Sequence, residues 1–339
     1  MSSSCSFRVT LLTLIYGIFS SFLGCSHKQS GVRHGEAVSK KSMRKQILGR
    51  TVSSDFFNQE GPFRSKLHEN LTITLSPFTK IETDFYESKT ATNAPLGIII
   101  HGNGYNRLAH RDQAKRIASW GIHSLVVDLP NRNQWNKNGI RVKSLAKLIH
   151  SYPQILSRKI DHTRIFLIGH SFGGSASAIA AGNGAPVKGL ILLDPAVLNP
   201  KIKEWLKLIK IPTVIIGADK NVFTSKKRWQ FFKYLSGPVA EVSIIGSTHT
   251  DAQLPSIIKV HWGFDVFRQE VYQERFLSSI IVSLLSLSLT KGLKFAWKIF
   301  HSDINKGLMK KGRVKFQQRK RYHSKKSSAF SKDIKKRPN

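Results

Sequence analysis

The sequence predicts an α/β fold built on a mostly parallel, doubly wound sheet. Short apolar runs alternate with helical patterns between residues 66 and 290, as they do in successive strand–helix units. The runs are continuously apolar, which is typical of strands covered on both faces. One run, Arg164–Ile168, leads through a serine flanked by glycines into a helix of small residues. The 339 residues, 40% of them hydrophobic, are enough to bury the core of such a domain.

The predicted elements follow one another in chain order. Leu71–Leu75 and Ile81–Phe85 are expected to form an entry hairpin, and Arg107–Trp120 a helix after the first buried strand. The buried strands are expected at residues 96–100, 123–128, 164–168, 189–193, 213–216 and 241–245. Phe276–Leu289 is expected to be the closing helix of the domain. The segment between the strands at 189–193 and 213–216 is short, so we expect no large cap domain and an open site.

The first 25 residues have the pattern of an export signal. Arg8 precedes the apolar run Val9–Leu23, which has the length of a signal-peptide core and is too short for a membrane span. Residues 1–24 are therefore predicted to be a signal peptide. Phe22–Cys25 resembles a bacterial lipobox, which implies lipidation of Cys25 and localisation in the cell envelope or periplasm. An ordinary cleaved signal and an uncleaved anchor are the alternatives.

Basic residues are concentrated at the two ends of the chain. There are 54 Lys and Arg against 20 Asp and Glu, a formal net charge of +34, and residues 291–339 supply nearly half of the excess. Residues 25–65 are predicted to be a basic tether, 66–290 the folded domain and 291–339 a largely disordered basic tail. Such a charge favours a polyanionic partner. Behind an export signal, an anionic membrane or envelope polymer fits the tail better than nucleic acid does, and a tail that only aids solubility is the alternative.

Residues 169–173, Gly-His-Ser-Phe-Gly, have the G-x-S-x-G pattern of a nucleophile elbow. The strand-to-helix turn of such an elbow is so tight that it needs glycine on both sides of the serine. The pattern alone is weak, but a strand precedes it, a helix of Gly, Ser and Ala follows it, and a candidate base lies downstream. Ser171 is therefore the predicted nucleophile, and a serine that only caps the helix is the alternative.

His249 is the predicted general base. It follows the last predicted strand in a polar loop, and an imidazole titrates near neutral pH, so it can take the proton of Ser171 and return it. Two aspartates are candidates for the acid that orients the imidazole. Asp194 ends the strand after the elbow, and Asp219 follows the next strand. We expect Asp194 to be the acid, with Asp219 as the alternative.

The oxyanion hole is predicted to be formed by backbone N–H groups. Phe172, directly after the nucleophile, supplies one, and Asn103, in the turn 101–104 that ends a strand, supplies the other. A turn that only ends the strand is the alternative. This chemistry needs no metal and no cofactor. Because Cys5 and Cys25 both precede the domain, a disulfide or a cysteine metal site within it is excluded.

The sequence resembles the α/β-hydrolase superfamily over residues 66–290. The resemblance rests on the segments His101–Gly104, Ala118–Gly121, Gly169–Gly174, Leu193–Pro195 and Gly246–His249. It is most similar to the lid-poor esterase branch that holds platelet-activating-factor acetylhydrolases, chlorophyllases and cutinase-like polyester hydrolases. In the first two groups the acid follows the strand after the elbow, which implies Asp194. In cutinase-like members the acid lies one strand later, where Asp219 and Asn221 of this chain are out of register with the family pattern.

These observations predict an exported serine hydrolase that cleaves carboxylic esters through an acyl-enzyme intermediate. The expected partners are an ester substrate, such as a lipid or a surface-presented ester, and an anionic surface bound through the basic tail. Two alternatives remain: a non-catalytic lipoprotein that binds an envelope polymer on a hydrolase scaffold, and a basic protein that binds nucleic acid. The sequence leaves the acyl and alcohol groups and the oligomeric state open.

Overall fold

The computed structural model describes residues 53–90, 93–129, 134–220, 225–254, 270–289 and 292–316. The predicted signal peptide with Cys25, most of the predicted tether, Asn221 and the tail beyond residue 316 lie outside the described residues. None of the helices in the described ranges has the length and hydropathy of a membrane-crossing segment.

Within these ranges the chain forms one nine-stranded mixed sheet. The strands are β1 (Ser65–Ser76), β2 (Thr79–Ser88), β3 (Ala94–Ile100), β4 (His123–Val127), β5 (Ile160–His170), β6 (Gly189–Leu193), β7 (Thr213–Lys220), β8 (Val239–Thr248) and β9 (Met309–Lys315). Their order across the sheet is β1-β2-β4-β3-β5-β6-β7-β8-β9. Strands β3 to β8 run parallel, whereas β1, β2 and β9 pair antiparallel with their neighbours. The prediction of a mostly parallel sheet is confirmed.

Helices cover both faces of the sheet. They are α1 (Arg111–Ser119), α2 (Trp135–Ser151), α3 (Phe172–Gly182), α4 (Ile202–Leu208), α5 (Ser225–Tyr234), α6 (Glu270–Leu289) and α7 (Lys294–Asn305). Helices α1, α6 and α7 contribute to one core, and α2 to α5 to the other. Consecutive residues of β3 enter opposite cores, Ile99 the first and Ile98 and Ile100 the second. Burial on both faces explains the continuously apolar strands and confirms the doubly wound architecture.

The connection between β6 and β7 is short, as the sequence predicted. Residues 194–212 contain the seven-residue helix α4 and no further helix or strand. The chain therefore inserts no cap domain at this point.

The folded domain begins before residue 66. A 3-10 turn at Ser54–Asn58 places Phe57 in the core, where it is fully buried with its ring centroid 5.0 Å from that of Trp120. The prediction that the tether reaches residue 65 is therefore wrong. The aromatic side chains near the end of that segment complete the core against α1 and α6.

The folded domain also extends past residue 290. Helix α7 buries Ile299 and Phe300, and β9 adds an antiparallel edge strand to β8 with Met309 buried. The predicted start of the disordered tail at 291 is therefore wrong. The strand was missed because basic residues dominate it, and an edge strand can keep charged side chains in solvent while its backbone pairs.

Candidate active site

Ser171 lies in the turn between β5 and α3. Its backbone has φ 54° and ψ −122°, a combination that residues other than glycine rarely adopt. The N–H of Ser171 donates to the carbonyl of Leu193 at 3.0 Å. The carbonyl of Ser171 accepts from the N–H groups of Gly174 at 3.0 Å and Ala196 at 3.1 Å. These hydrogen bonds hold the serine in the strained backbone of a nucleophile elbow.

The flanking glycines are required by close backbone packing. A Cβ atom on Gly169 would overlap the carbonyl of Gly173, and one on Gly173 would overlap the carbonyl of His101. A Cβ atom on Gly102 would lie 2.9 Å from the Cβ atom of Ser171. The turn after β3 therefore lies directly against the elbow.

The two residues predicted to form the oxyanion hole both lie next to the elbow. Asn103 lies in the turn after β3, which is closed by a hydrogen bond from the N–H of Tyr105 to the carbonyl of Gly102 at 3.3 Å. Gly104 has φ 80°, where glycine is favoured. Phe172 is the first residue of α3 and follows the elbow serine directly. The turn and the helix N-terminus thus meet at this point.

His249 and Asp194 form a hydrogen-bonded pair. Asp194 follows β6 and is fully buried, and its φ of 37° turns the chain sharply at the strand end. His249 follows β8, and its Nδ1–H donates to Oδ2 of Asp194 at 2.6 Å. In this arrangement the neutral imidazole carries its proton on Nδ1. Nε2 is then the basic nitrogen, which can accept a proton.

The second carboxylate oxygen of Asp194 is also bonded. Its Oδ1 accepts from the N–H of Ala218, in β7, at 3.1 Å and forms an ion pair with Arg228, in α5. Donors on both oxygens fix the plane of the carboxylate. The orientation of this carboxylate toward His249 is therefore set by two other elements of the fold.

Asp219, the alternative acid, is engaged elsewhere. It forms an ion pair with Lys310 of β9, and its Oδ2 accepts from the N–H of Gly246 at 3.1 Å. Burial opposes ionisation, but the hydrogen bonds and charge of these partners hold the pKa of Asp219 below its ordinary value. Of the two candidate acids, the structure brings Asp194 to His249.

Asp251 has a capping role. Its Oδ2 accepts from the N–H of Thr248 at 2.7 Å and from the hydroxyl of Thr248 at 2.9 Å. These bonds close the capping box of the 3-10 turn His249–Ala252. Burial raises the pKa of Asp251. The aspartate thus fixes the backbone on which His249 is carried.

His170, the residue before the predicted nucleophile, packs against His249, with the ring centroids 4.6 Å apart and the ring planes tilted by 39°. Burial, helped by the neighbouring His249 and His110, lowers the pKa of His170 well below its ordinary value, so its ring is neutral. His110 is also buried, which lowers its pKa to about 4. His101 bonds to the backbone carbonyl of Gly102 and to the N–H of Leu129, one at each ring nitrogen, so its ring has a structural role.

The residues assembled here lie within one family match. Residues 98–266 match the model of the alpha/beta hydrolase family, and this range includes Ser171, Asp194 and His249. This part of the chain therefore belongs to the α/β-hydrolase family. The strand-to-helix turn that carries Ser171 lies between β5 and α3, where the family resemblance implied a nucleophile elbow.

Several curated relatives of this α/β hydrolase are cutinases. It is 28% identical over 152 residues to cutinase 1 of Thermobifida cellulosilytica, covering 42% of this chain and 56% of that protein. It is 28% identical over 152 residues to the cutinase of Thermobifida fusca (strain YX), covering 42% and 48%. It is 31% identical over 107 residues to cutinase est1 of Thermobifida alba, covering 31% and 35%. The chain thus spans about half the length of the first two, and these matches confirm the resemblance to the lid-poor esterase branch.

An open depression of about 340 Å³ lies beside the elbow helix of this α/β hydrolase. It is lined by Gln134, Trp135, Asn136, Lys137, Leu198 and Asn199. The ring of Trp135 contacts that of Phe172, with the centroids 5.8 Å apart. Within the described residues, no three His, Cys, Asp or Glu side chains are grouped as a metal site.

Arg228 was not among the site residues predicted from the sequence. Together with Lys226 and Lys227 it forms a basic run that resembles the solvated face of a helix. A signal was present, because the buried Phe231 and Leu235 follow at positions i+3 and i+7. Residues at this spacing share one face of a helix, so Arg228 lies on the face of α5 that packs against the sheet.

Proposed function

We propose that this protein is an exported serine hydrolase that cleaves carboxylic esters through an acyl-enzyme intermediate. The observation that supports it most is the 2.6 Å hydrogen bond between His249 and Asp194, beside the strained backbone of Ser171. A base oriented by a buried carboxylate and a serine at a strand-to-helix turn are the groups that acyl transfer needs.

In the acylation step, Oγ of Ser171 attacks the carbonyl carbon of the ester while Nε2 of His249 takes the hydroxyl proton. The carbonyl oxygen becomes an oxyanion, which the N–H groups of Asn103 and Phe172 stabilise at the N-terminus of α3. Collapse of the tetrahedral intermediate breaks the bond to the alcohol oxygen. The alcohol leaves with the proton from His249.

In the deacylation step, His249 takes a proton from water, and the resulting hydroxide attacks the carbonyl of the acyl-enzyme. The acid product leaves, and Ser171 recovers its proton from His249. Asp194 stays ionised in both steps and stabilises the imidazolium each time it forms.

The proposed substrates are esters presented on a surface or on a large molecule. The support is the missing cap between β6 and β7 and the open depression beside Phe172. The side chains of Gln134, Asn136, Lys137 and Asn199 in that depression can bind polar groups next to the scissile ester. The relatives named cutinases support an ester as the reacting group.

Export and anchoring belong to the same proposal. The signal pattern of residues 1–24 supports export, and the lipobox-like segment before Cys25 supports lipid anchoring in a bacterial envelope. The basic residues beyond 316 support contact with an anionic membrane or envelope polymer. In high salt, which screens the binding of the basic tail to an anionic surface, replacement of Cys25 by serine should release the protein from the membrane fraction. Continued fractionation with membranes under these conditions would contradict lipid anchoring.

Labelling by a fluorophosphonate probe tests the catalytic proposal, because the probe reacts with activated serines. We expect the wild-type protein and Ser151→Ala, a change at an exposed serine, to be labelled and to hydrolyse short p-nitrophenyl esters. We expect Ser171→Ala to do neither. A wild-type protein without labelling or turnover would contradict the proposal and favour the non-catalytic alternative.

A further inference from the structure

The carboxylate that bonds to His249 is also one half of a buried ion pair. Asp194 is fully buried, and Nη1 of Arg228 binds its Oδ1 atom. The side chain of Arg228 is only 12% exposed. Solvent therefore screens this pair much less than it screens ion pairs on the surface.

The fold leaves room for the guanidinium of Arg228 and fixes its orientation. A Cβ atom on Gly217, in β7, would overlap Cζ, Nη1 and Nη2 of Arg228. Nη1 also donates to the carbonyl of Ala218 at 3.0 Å, and Nη2 donates to Oγ of Ser243, in β8, at 2.7 Å. The planar guanidinium is thus held by two neighbouring strands while it binds Asp194.

The ion pair of Asp194 and Arg228 belongs to a network of charged residues that reaches the edge strand β9. Nε of Arg228 lies 3.5 Å from Oε1 of Glu241, in β8. Oε2 of Glu241 accepts from Nε of Arg313, in β9, at 2.8 Å. The guanidinium of Arg313 also lies over the ring of Phe232, 4.3 Å from its centroid. Negative and positive charges therefore alternate from Asp194 to β9.

An acid that orients a catalytic histidine has to be an anion. The carboxylate form accepts the Nδ1–H bond more strongly than the neutral acid does, and only the carboxylate stabilises the imidazolium through its charge. Complete burial disfavours this form unless a positive charge lies beside it. Arg228, whose guanidinium binds Oδ1 of Asp194, supplies a positive charge at this position.

We infer that Arg228 is a positioning residue that holds Asp194 as an oriented anion, and that Glu241 and Arg313 hold Arg228 in place. The inference rests on the proposed function, because it concerns the acid of that same site. It makes β9, which lies in the segment that the sequence assigns to a tail, part of the support of the site.

The test observes the proton between His249 and Asp194 directly. In the 1H NMR spectrum of the full-length protein, a proton held in such a bond gives a far-downfield resonance, and Asp194→Asn should remove it. We expect Arg228→Met to shift or remove this resonance. We also expect it to lower kcat for a p-nitrophenyl ester about 10- to 100-fold with little change in KM, since small displacements of a catalytic group have effects of this size. Arg228→Lys should recover part of both losses, because it keeps the charge without the planar fork.

Arg313→Gln tests whether the charged residues farther from Asp194, Glu241 and Arg313, contribute to holding Arg228 in place. The side chain of Arg313 is 49% exposed, so its replacement is compatible with folding. We expect a smaller fall in kcat and a smaller shift of the resonance than in Arg228→Met. Arg164→Met is the matched control, because it removes an arginine from a pair with Asp161 (2.6 Å) on β5 and should change neither value.

Wild-type kcat and an unchanged resonance in Arg228→Met would overturn the inference. Wild-type values in Arg313→Gln alone would overturn the part that concerns β9. If Arg228→Met does not fold, wild-type values in both Arg228→Lys and Arg313→Gln overturn the inference instead. The resonance does not depend on turnover, so an inactive wild-type protein would contradict only the proposed function, and a resonance unaffected by Arg228→Met would contradict only this inference.

Discussion

The Nε2–H group of His170 donates to the backbone carbonyl of His249 at 3.0 Å, and the two imidazole rings are in contact, with their centroids 4.6 Å apart. Nδ1 of His170 accepts from Nε2 of Gln253 at 3.2 Å, so both ring nitrogens are bonded and the tautomer is fixed. The residue that precedes the proposed nucleophile therefore holds the backbone of the proposed base.

We expect His170→Phe to lower kcat about 10-fold, because phenylalanine keeps an aromatic ring against His249 but removes the hydrogen bond to the backbone of His249. It also leaves buried hydrogen-bonding groups unpaired, which should reduce the free energy of unfolding by about 1–3 kcal/mol. Ester turnover and denaturant unfolding measure the two effects. His162→Phe, at an exposed position of β5, is the control, and equal kcat in both variants would contradict this role of His170.

A second prediction separates the two candidate acids. Asp194→Asn should lower kcat about 10⁴-fold, because an amide favours the wrong tautomer of His249 and cannot stabilise imidazolium. Asp219→Asn removes a partner of Lys310 and should leave kcat close to that of the wild type. Steady-state kinetics on one soluble ester measures both, and the reverse order of effects would assign the acid to Asp219.

The lowered pKa of Glu87, a residue of β2 outside the proposed site, predicts part of the pH dependence of stability. Burial opposes its ionisation, but hydrogen bonds from Lys89 and Ser157 and the positive charge of Lys89 outweigh burial and lower the pKa of Glu87 from 4.5 to about 2. Because the pKa is lower in the folded state, the stabilisation is fully present above about pH 4.5. It is lost as the pH falls through the folded value of about 2.

Glu87→Gln should therefore be less stable than the wild type at pH 7, and the two proteins should converge in stability as the pH falls from 4.5 toward 2. Denaturant unfolding at a series of pH values measures the difference. A difference that stays constant over this range would show that the ion pair with Lys89 does not stabilise the fold.

The early start of the domain gives a fourth prediction. Phe57→Ala should reduce the free energy of unfolding by about 3–5 kcal/mol, because it leaves a cavity in the core beside Trp120. Phe78→Ala, at a residue that is 99% exposed, should change it by less than about 0.5 kcal/mol. Similar values for the two variants would place Phe57 outside the core.

The sequence predicted the parts of the site that lie within one or two adjacent elements. Ser171 and its glycines were found because the tight turn imposes residue types at fixed spacing. The choice between Asp194 and Asp219 is different, because both lie at the ends of neighbouring parallel strands. Which carboxylate reaches His249 depends on the path of the loop after β8 and on the other partners of each aspartate.

Continuous apolar runs and the steric demand for glycine act over a few residues, so the parallel core and the tight turn at Ser171 could be predicted from the chain alone. The limits of the domain and the pairing of its charges depend on contacts between segments that are distant in the chain. Arg228 is 34 residues from Asp194, and Arg313 is 72 residues from Glu241. A basic side chain looks the same in sequence whether solvent or a buried carboxylate surrounds it, and only the packing of β7, β8, β9 and α5 distinguishes the two.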